Sequence, residues 1–380
     1  MIEAVALLDQ ARIRTGLKDF GEESFLVPLH RLVDSINRDT LLTEFGRLSV
    51  PEMLIGYLSN RLEVESWYAK HPEIDDEQIV APVFGIGLPR TGSTALGFIM
   101  ALDRDTRVLR DWESRHPCPP PEKATEFSDP RIAQAEAESD VFETMVPELR
   151  NMVPRDVRGP QECALLLCMS FLPHTAFETY YNTTSYSQWV MSAQPDMVQA
   201  YRYHRRVIKL LQWRCPPKRW FLRTPMHMFA MDAIDTVYPD ARYVMTHRDA
   251  VKTLPSVCSI MHHCRVAWDD RSDPVNLGPA QEEYWLTALK RTMAFRRRIG
   301  EHRFFDVSHK RQAADPAAQI PALYDFLGWP YDPGLAAVIR RWQSIHPKGE
   351  HKVEPAFFGL DPARLAERYR FYSDAYAAWL

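Results

Sequence analysis

The run FGIGLPRTGST, residues 84–94, matches the phosphate-cradling pattern G-x-x-x-x-G-K-[ST] at Gly87, Gly92 and Thr94 but not at its lysine. Ser93 stands in the lysine position, and the loop's cation comes three residues earlier, at Arg90. Backbone N–H groups of such a loop, opening onto a helix amino terminus, hold an anion. In a triphosphatase the lysine reaches the β and γ phosphates while the hydroxyl holds magnesium. Ser93 cannot do the first job, and no acidic strand end of the magnesium-holding kind stands out, so the loop fits an anionic ligand that needs neither lysine nor metal.

Two more arginines end apolar runs, Arg223 in RWFLRTP and Arg248 in RYVMTHRD. If the runs are neighbouring parallel strands, Arg90, Arg223 and Arg248 share one crevice; each alone reads equally as a solvated charge or a structural ion pair. A proton acceptor is sought among three groups. Glu162 in RGPQECALLL follows Pro160, which marks a first helical turn, so it serves either as a base or as a complement to the helix dipole. His227 in RTPMHMF is the rival, and Glu113 in DWE comes third, either lining a pocket or pairing with an arginine. The aromatic stretch between Phe171 and Trp189 forms either an apolar wall or ordinary packing. In CSIMHHC, Cys258 and His262 have i, i+4 spacing, but without a second ligand pair no metal is expected.

The elements that must position these groups alternate. Pro82–Gly87 reads as a buried parallel strand running into the loop and the helix STALGFIMALD. RWFLR and ARYVMTH repeat the order of strand, cation and helix, and RFFDVS is a fourth strand. This predicts an α/β fold, three-layer α/β/α around a central mostly parallel sheet, with ligands outside the carboxyl ends of its strands. Residues 1–80 read as a helical segment packing on the core. Residues 81–380 read as one domain carrying a helical insertion at about 104–217, where no strand is evident.

The 380 residues, 46% of them hydrophobic, suffice for a packed core, and a net charge of -4 without charge blocks gives no reason to expect a nucleic-acid partner. The six cysteines lack a C-x-x-C pair and read as reduced thiols. The start, MIEAVALLDQ, has acids and no basic flank, so no targeting segment, no membrane span and a cytoplasmic location are expected. Oligomeric state is not legible.

At the level of motifs, GLPRTGST and THRDAVKTLPSVCS resemble the PAPS-dependent sulfotransferases, in the bacterial branch common in mycobacteria. Weaker similarity covers DWE, YDFLG and KGEHKV…FGLD. The resemblance implies 3′-phosphoadenosine 5′-phosphosulfate (PAPS) as donor, the 3′,5′-bisphosphate as product, no metal, and a small or lipid-like hydroxyl acceptor. It implies that Gly87, Leu88, Pro89, Arg90, Thr91, Gly92, Ser93 and Thr94 hold the 5′-phosphosulfate, with Arg90 as the loop cation, and that Arg248 and Ser256 hold the 3′-phosphate. It further assigns Lys348, Gly349 and His351 to a late basic donor-binding loop and favours Glu162 over His227 as base. The chain departs from the family at His309, where a tyrosine is usual, and at Val353, where an aromatic is usual. The alternatives are an ATP- and magnesium-dependent phosphotransferase, and a nucleotide-responsive binding protein without turnover.

Overall fold

The computed structural model describes residues 1–152, 154–193, 195–217, 219–346 and 353–380. Its sheet has five strands: β1 Val83–Gly87, β2 Thr106–Val108, β3 Arg219–Arg223, β4 Arg242–His247 and β5 Phe304–Ser308. All pairings are parallel, in the order β2-β3-β1-β4-β5. Successive side chains on a strand face opposite ways. Phe84 and Ile86, Trp220 and Leu222, and Tyr243 and Met245 therefore enter one core, while Val83, Phe221 and Val244 enter another. Helices Met197–Gln212, Met231–Val237, Ala250–Trp268 and Pro274–Ile299 close the first core. Helices Ser93–Ala101, Ile320–Leu327 and Gly334–Ile345 close the second. The result is the three-layer α/β/α arrangement expected from the alternating pattern.

One strand corrects the sequence reading. Residues 104–217 are largely helical, but they include the edge strand β2, which pairs with β3. Its three residues, Thr-Arg-Val, give no apolar run. Arg107 is accommodated there because its guanidinium pairs with Glu113 at 2.6 Å and lies over the Trp220 ring. Fixing the arginine fixes the strand.

Helices Ala4–Thr15, Leu26–Asp39 and Glu44–Lys70 fill the amino-terminal segment, the last capped by Thr43 Oγ1 accepting from Gly46 N at 2.9 Å. They share an apolar cluster with Phe171, Phe177, Tyr181, Tyr186 and Trp268. No helix among the described residues is long and apolar enough to cross a membrane.

Candidate functional site

The chain runs β1, β2, β3 outward and back on one side, then crosses β1 to form β4 and β5 on the other. The carboxyl ends of β1 and β4 thus flank the topological switch point, where an open parallel sheet leaves a crevice. A cavity of about 650 Å³ opens there, lined by Pro89, Arg90, Gly92, Ser93 and Thr94 of the loop and by Arg248 after β4.

Backbone geometry makes the cradle. Gly87 has φ 133°, and a Cβ there would lie 2.5 Å from the Thr246 carbonyl oxygen, so only glycine permits β1 and β4 to approach. Gly92, at φ 90°, turns the chain into the helix Ser93–Ala101. Leu88 and Thr91 point inward and are buried; Thr91 Oγ1 donates to the Leu88 carbonyl at 2.6 Å and lies 2.6 Å from Thr246 Oγ1. From the far side Gln312 Nε2 donates to the Gly92 carbonyl at 3.2 Å.

Arg90 occupies the left-handed region at φ 68°, an uncommon position for a residue with a side chain and one that concentrates at functional sites. Its Nε donates to Ser256 Oγ at 3.1 Å and its Nη2 to the Met152 carbonyl at 3.0 Å. Asp249 caps the helix Ala250–Trp268, accepting from Val251 N at 2.9 Å, which sets Arg248 just before the helix and Ser256 within it. Arg248 Nη1 donates to the Arg90 carbonyl at 3.0 Å. Burial and the Arg248 guanidinium both push the Arg90 pKa down; neither arginine forms an ion pair among the described residues, although Asp249, next in the chain, offsets part of the Arg248 charge. Two half-buried like charges side by side, neither held in an ion pair among the described residues, attract an anion.

The third strand-end arginine is used differently. Arg223 is buried, pairs with Glu162 at 3.2 Å and donates to the Pro160 carbonyl at 3.1 Å. It does not face the crevice; it holds the carboxylate that does. Thr224 Oγ1 donates to the other Glu162 oxygen at 2.9 Å, and Glu162 lines the cavity. The expected helical turn at Glu162 is absent: the helix begins at Ala164, and Cys163 N bonds to the Arg223 carbonyl at 2.9 Å, tying this segment to the end of β3.

His227 lies in the first core and does not line the cavity. It is wholly buried, with Nδ1 2.7 Å from Tyr201 Oη, and burial pushes its pKa well below the ordinary imidazole value. The short 3₁₀ turn Pro225–Phe229 aims Met226 at the cavity and His227 inward. Glu113 is likewise buried on Arg107. The aromatics of residues 171–189 pack on the amino-terminal helices, leaving Thr175 and Thr179 at the cavity wall. Met152, Met226, Val257, Ile260, Met261 and Trp285 supply the apolar lining beside Glu162.

At the opposite end stand His309, Gln312, Trp342 and His346, the last two stacked with centroids 5.1 Å apart. Sequence reading missed Thr224, Gln312 and Met226. A threonine directly after a strand-end cation was the available signal for the first; the others reach the site only through tertiary packing. Lys348, Gly349 and His351 lie outside the described residues. Among the described residues no group of three or more His, Cys, Asp or Glu is placed to hold a metal ion.

Known proteins share this fold. A model of the sulfotransferase family matches residues 82–333, while no curated protein matches the sequence. The crystal structure of sulfotransferase STF9 from Mycobacterium avium is similar at 27% identity and a TM-score of 0.91, over 99% of this chain and 97% of that one. Sulfotransferase STF1 from Mycobacterium tuberculosis H37Rv is similar at 28% identity and a TM-score of 0.85, over 97% and 98%. The family match runs from the start of β1 past the end of β5, and the two structures extend the likeness over nearly the whole chain: this protein belongs to the sulfotransferase family.

Proposed function

We propose that this chain transfers a sulfuryl group from 3′-phosphoadenosine 5′-phosphosulfate to a hydroxyl of a small or lipid-like acceptor. The observation that carries the reading is the joint placement of Arg90, Arg248 and Ser256 at the switch point, with Glu162 as the one carboxylate among the described residues that line the same cavity. The residues fit such a donor. The glycine cradle admits close approach of phosphate oxygens, and two arginines held in no ion pair among the described residues, with a serine, match a ligand with two separated anionic groups. The missing loop lysine and the single carboxylate disfavour the ATP- and magnesium-dependent alternative.

When bound, the donor supplies an SO₃ group on a good leaving group. The loop N–H groups and Arg90 stabilise charge that develops on the departing phosphate. Glu162, fixed by Arg223 and Thr224, is the base: it takes the acceptor hydroxyl proton as the acceptor oxygen bonds to sulfur and the sulfur–oxygen bond to the phosphate breaks. Met226, Ile260, Met261 and Trp285 exclude water from that side. His227 keeps a structural role. Thermal stabilisation by adenosine 3′,5′-bisphosphate without metal, compared with ATP plus magnesium, followed by sulfate transfer to a panel of phenols and alcohols, tests the reading. Stabilisation by ATP and magnesium alone contradicts it, and bisphosphate binding without transfer to any acceptor favours the binding-protein alternative.

A further inference from the structure

Beside the main cavity lies a second one of about 300 Å³, and the two share Thr175 and Met226 as walls. Its lining is apolar at Leu167, Leu172, Val190 and Phe229, yet it holds two buried polar groups without partners and an arginine. His174 is 2% exposed and its Nε2 has no hydrogen bond; Thr175 Oγ1 is buried and equally unpartnered. Arg291 makes no ion pair among the described residues. Buried polar groups in folded proteins are almost always satisfied, so these two neighbouring exceptions, beside a half-buried arginine, point to a missing ligand.

The charges select its chemistry. Two carboxylates line this cavity: Asp232 pairs with Arg298, and Asp196 is exposed, capping its helix by accepting from Val198 N at 2.8 Å. Arg291 is therefore the cation of the described lining that no ion pair holds, while Asp196 keeps its charge toward solvent. His174 is neutral, its pKa pushed down to about 3 by burial and by Arg291, and a neutral imidazole can donate one N–H. A guanidinium, an imidazole N–H and a hydroxyl together match a carboxylate. Met226, unbranched and with three rotatable side-chain bonds, can swing aside without backbone change.

We propose that the acceptor chamber continues past Met226 and Thr175, and that the acceptor is an elongated hydroxy acid: its hydroxyl at Glu162, its carbon body across Met226, its carboxylate on Arg291, His174 and Thr175. This rests on the sulfuryl-transfer reading for the hydroxyl end only. The test begins without donor, with adenosine 3′,5′-bisphosphate at saturation so that Arg90 and Arg248 are engaged. Straight-chain alkanoates of graded length and the matching 1-alkanols are titrated calorimetrically into the parent, Arg291→Lys and Arg291→Gln proteins, whose thermal midpoints are compared first. The alkanoate is expected to bind at least tenfold tighter than the alkanol of equal length, with the preference kept in Arg291→Lys and lost in Arg291→Gln. With donor present, ω-hydroxyalkanoates should show a KM at least tenfold below that of their methyl esters at similar kcat. Equal binding of acid and alcohol, or a preference that survives Arg291→Gln, overturns the proposal. An Arg291-dependent preference without sulfate transfer upholds the second cavity and contradicts the sulfuryl-transfer reading; transfer to alcohols without any preference does the reverse.

Discussion

Arg248 Nη1 donates to the backbone carbonyl of Arg90 at 3.0 Å, so the cation that ends β4 fixes the loop that follows β1. The same loop cation reaches Ser256 on the helix that Arg248 precedes. Cradle and second anion subsite are thus one hydrogen-bonded unit built across two adjacent strands.

Arg248→Ala and Ser256→Ala are expected to weaken adenosine 3′,5′-bisphosphate far more than adenosine 5′-phosphosulfate, which lacks the 3′-phosphate. A charge-assisted hydrogen bond is worth about 1.5–3 kcal/mol, roughly a 10- to 150-fold change in Kd. Calorimetric titration of both ligands measures it. Equal losses would remove the 3′-phosphate assignment.

Gly87→Ala should destabilise the fold and abolish bisphosphate binding, because φ 133° and a Thr246 oxygen 2.5 Å from the new Cβ leave no room. Gly56→Ala is the control. It lies in the helix Glu44–Lys70 with nothing within 4 Å of an added Cβ, and should gain about 0.5–1 kcal/mol. Urea midpoints decide, and a Gly87→Ala protein of parental stability and affinity would contradict this account of the loop.

Much of this architecture was legible beforehand, for identifiable reasons. β1, β3, β4 and β5 carry apolar runs, and the first three end at or beside a glycine or a cation, so their place and the loop's role could be read. β2 could not, since Thr106, Arg107 and Val108 show no period and are held by the Arg107–Glu113 pair. Strand ends predicted that cations gather at the sheet edge, but not that Arg223 turns inward to hold Glu162 while Arg90 and Arg248 line the cavity. Nor could spacing show that adjacent residues Met226 and His227 part company, one into the cavity and one into the core.

Stability should fall as the medium is acidified below about pH 6.5, the ordinary imidazole pKa. His204 is buried and its pKa is pushed down to about 3 by that burial, so between these values the unfolded chain binds the proton and the folded one does not. Stability from this group is complete above about pH 6.5 and declines by up to about 1.4 kcal/mol per pH unit toward the folded value. His204→Gln should flatten the profile of urea midpoints between pH 7.5 and 5.5. An unchanged slope would show that His204 is not buried neutral.

Turnover should survive EDTA, because Arg90 and the loop N–H groups supply the charge stabilisation asked of a metal in phosphoryl transfer. Loss of sulfate transfer on chelation, restored by magnesium or zinc, would overturn the mechanism.

The central claim is that Glu162, held by Arg223 and Thr224, takes the acceptor proton. Glu162→Gln keeps the volume and an acceptor oxygen for Arg223 but cannot accept the proton. Single-turnover sulfate transfer measured beside calorimetric bisphosphate binding tests this most directly, with His227→Gln as the paired variant. The predicted result is a fall in Glu162→Gln turnover of roughly 10² to 10⁴ with bisphosphate affinity nearly unchanged, while His227→Gln loses stability and keeps turnover within several-fold. Near-parental transfer by Glu162→Gln, together with a folded, bisphosphate-binding but inactive His227→Gln, would contradict it.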